Sequence, residues 1–283
     1  MQKEGQTKTA DEIENIFYNA AQGSRDPKHS CIAYLKTDNS YEMLGTKNGE
    51  IEPDRKQTRY KYSPTHQDVA VCCNPNAGRI TPYFIEKSWM KEGNNTLVAT
   101  LLSPNIVKTT IDNNPIRIEE ITEYPFKNKF IFKIFNPKNG NFKLKIRKPS
   151  WATQIETKEK FTLENGYIIL DRKFNKEDQV QIEFKASIIV KKDANQEKYF
   201  TYGAQVFAKP IKANELKGKI YKGDFYDVTY SPKENTKYQF IDVNNAQFEN
   251  DKINVTLKNI NTNQLENVVL VPFGQTVLRQ VSF

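Results

Sequence analysis

The chain has 283 residues, of which 37% are apolar and 12% aromatic. That is enough for about two domains with packed cores, and no apolar run is long enough to cross a bilayer. The net charge of +8 would suit an acidic partner, but the cations alternate with apolar residues along strands, as in Phe142-Lys143-Leu144-Lys145-Ile146-Arg147. With no dense basic block and no Gly-rich phosphate loop, neither nucleic acid nor membrane is expected as a partner.

The opening residues Met1-Gln2-Lys3-Glu4-Gly5 are followed by no apolar segment, which predicts no signal peptide. Thr9-Ala10-Asp11-Glu12 fits a capping box with Thr9 as N-cap and Glu12 at N3. Ile13, Ile16, Phe17 and Ala20 line one face of the helix that follows, and Gly23 stands shortly past its end. A helix of about a dozen residues is marginal alone, so this stripe must pack on something. Residues 24 to 66 are polar and irregular, with strand-like pieces at Cys31 to Leu35 and Arg59 to Tyr62. A loop of that length is expected where it is functional or has lost its neighbours.

Val71-Cys72-Cys73-Asn74-Pro75-Asn76-Ala77-Gly78-Arg79 comes next. Asn74 reads as an N-cap and Pro75 as the first helical residue. Ile80, Tyr83 and Phe84 share one side of the helix, which Pro82 should kink or end. Both sulfurs then sit at the positive end of a helix, which favours thiolates, and thiolates serve zinc and nucleophilic catalysis alike. The apolar Val69-Ala70-Val71 before them equally suits two buried structural cysteines. A bridge between neighbours is strained, and two donors fall short of the three or four that a zinc site needs. Three cysteines do not form a disulfide framework, and Cys31 reads as a core or surface thiol. Near the pair, His66 could contact a metal, Asp68 could approach the thiols and Arg79 could hold a carboxylate, or each could simply serve structure, and Trp89 and Trp151 could present a stacking face or pack in a core.

From about Asn95 the texture becomes short β-runs separated by turn residues. These are Thr96 to Leu102, Pro115 to Ile121, Lys129 to Phe135, Phe142 to Arg147, Tyr167 to Leu170 and the alternating Val180, Ile182 and Phe184. Asn139-Gly140 and Asn165-Gly166 are hairpin signals, and the even spacing argues a β-sandwich. Lys191 to Lys198 is a polar break. A second set follows: Tyr199 to Ala208, Phe225 to Tyr230, Tyr238 to Val243, Ile253 to Leu257, Val268 to Val271 and Thr276 to Phe283.

Cys72-Cys73-Asn74-Pro75-Asn76 with Arg79 resembles the double-cysteine motif of glycoside hydrolase family 127, the β-L-arabinofuranosidases. Other stretches resemble the family in the same order: Glu14-Asn15-Ile16-Phe17-Tyr18-Asn19, Arg147-Lys148-Pro149-Ser150-Trp151-Ala152, and Val271-Pro272-Phe273-Gly274-Gln275-Thr276 with Leu278-Arg279 and Phe283. Tyr202-Gly203-Ala204 departs from the family's Gly-Pro step. The resemblance covers almost the whole chain. It implies an (α/α)6 catalytic barrel followed by β-sandwich domains. This chain offers two or three helices, all before residue 95. The expected fold is therefore mainly β: residues 1–90 as the C-terminal remnant of the barrel, 91–192 as a β-sandwich and 193–283 as a second, smaller one.

By the same resemblance, Cys72 is the nucleophile of retaining hydrolysis, and Cys72 and Cys73 are zinc ligands. The remaining ligands, a Glu-x-Cys, and the acid/base glutamate have no counterpart here. The implied substrate is an arabinose-containing plant glycan, and the chain is expected to be a fragment that is inactive alone. The alternative is a non-catalytic carbohydrate-binding or structural β-sandwich module. A homodimer is compatible with the sequence, and export of the parent enzyme to the periplasm stays open.

Overall fold

The computed structural model describes residues 5–33, 37–43, 56–57, 60–61, 73–221, 223, 225–241 and 245–283. Its described residues are mainly β. Two compact units cut across chain order: residues 1–16 with 81–187, and 17–80 with 188–283. The leading segment is thus shared between the units.

The first unit holds two five-stranded sheets. One runs, edge to edge, through Thr162–Glu164, Tyr167–Lys173, Asn141–Arg147, Thr96–Ala99 and Trp89–Glu92. The other runs through Gln154–Glu156, Glu177–Lys185, Lys129–Phe135, Asn114–Thr122 and Asn105–Ile111. Alternation of buried and solvated side chains along the longer strands makes this a sandwich. Phe130, Phe132, Ile134, Val180, Ile182 and Phe184 point inward from one sheet, and Leu97, Phe142, Leu144, Ile146, Ile168 and Leu170 are buried on the other. Each such side chain contributes roughly 1.5–3 kcal/mol on leaving water. The Trp89 and Phe132 rings meet edge to face at 6.1 Å across the two sheets, and the Trp89 indole N–H donates to Asn105 Oδ1 at 2.6 Å.

The turn expectations divide. Asn165 and Gly166 both have positive φ and join Thr162–Glu164 to Tyr167–Lys173, as the dipeptide requires. Asn139-Gly140 is not a hairpin. Lys129–Phe135 and Asn141–Arg147 lie in different sheets, and the connection is held by the Asn136 amide donating to Phe174 O (2.7 Å) and Gly140 O (2.9 Å). A hairpin without an Asn-Gly pair, through Asp112 and Asn113 at positive φ, joins Asn105–Ile111 to Asn114–Thr122.

Helix α1 spans Thr7–Asn15 and continues as a π-helical turn, Ile16–Ala21. The capping box does not form. The helix begins earlier, with Gln6 as N-cap and no side-chain cap, so Thr9 lies inside the first turn, while the Asp11 carboxylate accepts from Arg147 and from the Ser150 N–H. Helix α2 spans Cys73–Glu86 and runs through Pro82, which neither ends it nor leaves a donor unpaired. The carbonyl four residues back belongs to Gly78, which like Pro82 is exposed, so water can satisfy it.

The second unit has an eight-stranded sheet whose main path is Ile188–Lys192, Lys198–Tyr202, Gln205–Pro210, Leu265–Pro272, Lys252–Asn259 and Tyr238–Gln239. Phe200, Phe207, Ile253, Val255, Leu257 and Leu270 form its core. The polar run after Lys192 is a hairpin turn, in which the Asp193 carboxylate accepts from the N–H groups of Asn195 and Glu197. A four-stranded sheet joins Ile32–Ala33, Tyr60–Lys61, Tyr226–Pro232 and Ala213–Ile220. Part of the irregular leading segment therefore serves as strands here.

Candidate functional site

Helix α2 begins at the second of the two adjacent cysteines. Cys72, His66 and Asp68 lie outside the described residues. Cys73 is the first residue of the helix, one residue before the expected N-cap, and its side chain lies outside the described residues, as does that of Asn74. The helix that follows is mostly solvated. Phe84 is buried and Ala77 and Ile80 are half-buried along one stripe, while Pro75, Asn76, Gly78, Arg79 and Tyr83 are exposed. The Arg79 guanidinium is thus on the open side of the helix, one turn and a half beyond Cys73. The Arg25 guanidinium donates to Ala77 O and fastens the first turns of the helix to the loop that follows α1.

That loop is itself held by buried polar groups. Asp26 Oδ1 accepts from the N–H of Lys28 (2.8 Å) and of His29 (3.0 Å), and Oδ2 accepts from the Tyr230 hydroxyl (2.8 Å). Burial, then the hydrogen bond to Asp26 and its charge, raise the Tyr230 pKa, so this hydroxyl stays a donor. His29 Nε2 lies 3.0 Å from Glu215 Oε1, and its Nδ1 lies 3.3 Å from the Tyr226 hydroxyl. Cys31 is a buried free thiol. Burial, then the charges of Asp26, Asp227 and Glu215, push its pKa up, so it is a neutral core group rather than a nucleophile.

The densest buried charge cluster among the described residues is in the first unit, and the sequence reading passed over it. Arg147, fully buried, pairs with Asp11 and Glu14 of α1 and donates from Nε to Thr100 O at 2.6 Å. Glu14 also accepts from the Leu102 N–H (2.7 Å) and the Tyr124 hydroxyl (2.7 Å). Burial alone would lower the Arg147 pKa; the charge and hydrogen bond of Glu14 outweigh it and hold the guanidinium above its ordinary value. The cluster fixes α1 on the sandwich through Asp11 and Glu14.

Glu120 is buried beside this cluster. It accepts from the Ser103 N–H (3.2 Å) and from Asn105 Nδ2 (3.1 Å). Burial raises its pKa well above the usual range. These hydrogen bonds pull it back only in part, and Glu14 pushes it further up against a weaker Arg147. A carboxyl whose folded pKa exceeds its unfolded one binds its proton more tightly when folded. Its contribution is complete below the unfolded glutamate range and is lost as pH rises toward the folded value. Glu120→Gln removes that slope. The stability of the variant minus that of the parent should therefore grow as pH rises above the ordinary glutamate range, whatever constant offset the amide introduces. Urea midpoints that differ by the same amount at every pH would show the carboxyl to be ordinary.

Both tryptophans pack rather than present a sugar platform. Trp151 lies against Tyr124 (6.3 Å between centroids, stacked) and edge-on to Phe184 (6.1 Å), and Trp89 is held as described. Among the described residues no group of three or more His, Cys, Asp or Glu could hold a metal ion. The described residues therefore do not supply a zinc donor set.

Residues 96–186 match the family model described as "Beta-L-arabinofuranosidase, GH127 middle domain". This span takes in nearly all strands of the first unit. Solved structures of the same fold include a GH127 β-L-arabinofuranosidase from Geobacillus stearothermophilus T6, at 16% identity and a TM-score of 0.64 over 99% of this chain and 46% of that one. A protein described only as a glycoside hydrolase matches at 14% identity and a TM-score of 0.65, over 99% and 48%. A further GH127 β-arabinofuranosidase matches at 14% and 0.64, over 96% and 44%. The chain thus spans about half the length of these structures. No curated protein matches it in sequence.

Proposed function

We propose that this chain is the C-terminal part of a retaining glycoside hydrolase of the β-L-arabinofuranosidase type, acting on arabinose-containing plant glycans, with Cys72 as nucleophile. The observation that carries the reading is the match of residues 96–186 to the GH127 middle domain, in a chain whose sequence carries Cys72-Cys73-Asn74-Pro75-Asn76 upstream of it, with a helix that begins at Cys73. In this reading residues 1–90 derive from an (α/α)6 barrel, with 91–192 and 193–283 as its sandwich domains. Ile16 and Tyr83, each 60% exposed, are apolar groups that the rest of such a barrel would cover. The substrate is a neutral arabinoside, and neither nucleic acid nor membrane is a partner.

The chemistry is double displacement with sulfur in place of the second carboxylate. The Cys72 thiolate attacks the anomeric carbon and forms a C–S bond while the C–O bond to the leaving group breaks. The leaving oxygen takes a proton from an acid. Water then displaces the sulfur with inversion, giving net retention, and returns a proton to the same group. The helix N-terminus favours the ionised sulfur. Cys72 and Cys73 would supply two donors to a zinc ion, which when bound keeps such thiols deprotonated. The other donors and the acid/base would come from outside this chain.

The purified chain should therefore show no turnover of an aryl β-L-arabinofuranoside. Turnover that disappears in Cys72→Ser would contradict the incompleteness of the centre, and turnover that survives Cys72→Ser would contradict the role of the thiol.

A further inference from the structure

The sheet that includes Asn114–Thr122, Lys129–Phe135 and Glu177–Lys185 has an outer face away from the sandwich core. A cavity of about 510 Å³ opens on it. The register sets its lining in two rows across three adjacent strands. Arg117 stands opposite Phe135, and Phe135 opposite Glu177; Glu119 stands opposite Lys133, and Lys133 opposite Gln179. Because alternate residues share a face, all six side chains point the same way. With strands about 4.8 Å apart and same-face residues about 7 Å apart along each, the patch measures about 10 Å by 7 Å, the size of one or two sugar rings.

Its chemistry is selective. Phe135 is 39% exposed, whereas Phe130 and Phe132 on the same strand are fully buried, so the strand spends one large aromatic on the solvent side. The Arg117 guanidinium lies 3.1 Å from Glu119 Oε2, which holds donors and an acceptor side by side at the spacing of neighbouring hydroxyls. Two cations, Arg117 and Lys133, face two carboxylates, Glu119 and Glu177, so the rows carry no net charge. That balance disfavours a phosphate, a polyanion or a metal ion and suits a neutral ligand rich in hydroxyls with an apolar ring face. The rim is braced, because Asp178 accepts from Arg172 at 2.8 Å and Arg172 also holds Glu159 at 3.2 Å. The floor is the closed core beneath Ile134 and Val180.

We propose that this face is a saccharide-binding site, distinct from the thiol centre, in which a neutral sugar ring lies on Phe135 and its hydroxyls bond to Arg117, Glu119, Lys133 and Gln179. The geometry alone selects neutral saccharide; the preference for arabinose-containing glycan rests on the reading above. The test is affinity electrophoresis of the full chain through gels containing soluble arabinan, arabinoxylan, galactan or dextran, with heparin as the charged comparison. Retardation is expected in at least one neutral glycan. It should fall about tenfold or more in both Phe135→Ala and Gln179→Ala, exposed positions whose substitution leaves the melting temperature in place, and it should be unchanged in Cys72→Ser. Retardation in galactan or dextran but not in the arabinose polymers would support the site while counting against an arabinose-directed enzyme. No retardation in any neutral glycan, retardation in heparin only, or retardation untouched by both variants would overturn the proposal.

Discussion

Arg147→Met should destabilise the protein by about 3–5 kcal/mol, the cost of leaving buried charge without its counter-ion. The guanidinium is fully buried and is the direct partner of both Asp11 and Glu14. Methionine fills much of its volume but leaves Glu14, itself 1% exposed, with only the Leu102 N–H and the Tyr124 hydroxyl. In a chain of this size such a loss lowers the melting temperature by roughly 10 °C. The partner carboxylates make the test specific. In the Glu14→Gln background the same replacement should cost clearly less, because the orphaned charge is gone. Equal costs in the two backgrounds would show that Arg147 acts through packing alone. Lys145→Met, at a half-buried position two residues earlier on the same strand, should change stability by less than about 1 kcal/mol.

Gly23→Ala carries the second large effect. A methyl group there would sit 2.0 Å from Cε1 and 2.3 Å from Cδ1 of Phe273, far inside contact distance. The ring cannot swing away freely. The Arg279 guanidinium lies 3.9 Å from its centroid and is itself tied to the carbonyls of Asp38 (3.0 Å) and Thr37 (2.6 Å). Overpacking of this kind costs about 1–3 kcal/mol, even after the gain in helix propensity that alanine brings. Adding Phe273→Leu to the Gly23→Ala variant should recover part of the loss, and a neutral or stabilising Gly23→Ala would contradict the close approach. Gly23 is thus needed for space, and it is not the left-handed helix cap that its position past the apolar stripe suggests.

What could be read from the sequence follows the physics of each element. Lys129 to Phe135 and Phe142 to Arg147 announce themselves because one face is buried and the other solvated, so period two is written into them. The same rule misplaces Arg147: alternation puts it outward with Lys143 and Lys145, but α1 covers that end of the strand and brings Asp11 and Glu14 to it. A cation in line with lysines, facing a helix with carboxylates one turn apart, was the available signal. Ile32–Ala33 and Tyr60–Lys61 are two-residue strands that pair with each other, and Tyr60–Lys61 pairs in turn with Tyr226–Pro232, far along the chain; local pattern cannot register such pairings. Asn139-Gly140 misled because a permissive dipeptide allows a hairpin without requiring one. Of the candidate site, a helix start near Asn74-Pro75 was legible, though it falls at Cys73, one residue before the expected cap, while the chemistry of Cys72 and Cys73 came only from the motif. The saccharide face was hidden for another reason. Phe135, Arg117 and Gln179 are far apart in sequence, and only the register of three strands makes them neighbours.

The measurement that bears most directly on the thiol centre is iodoacetamide labelling of the intact, folded chain across a pH series, followed by peptide mass mapping. The proposed function requires Cys72 to be modified below pH 7, with zinc slowing the reaction, while the buried Cys31 reacts only after unfolding. If Cys72 and Cys73 prove as inert as Cys31 until the chain is unfolded, they are core residues and the sulfur chemistry assigned to them is wrong.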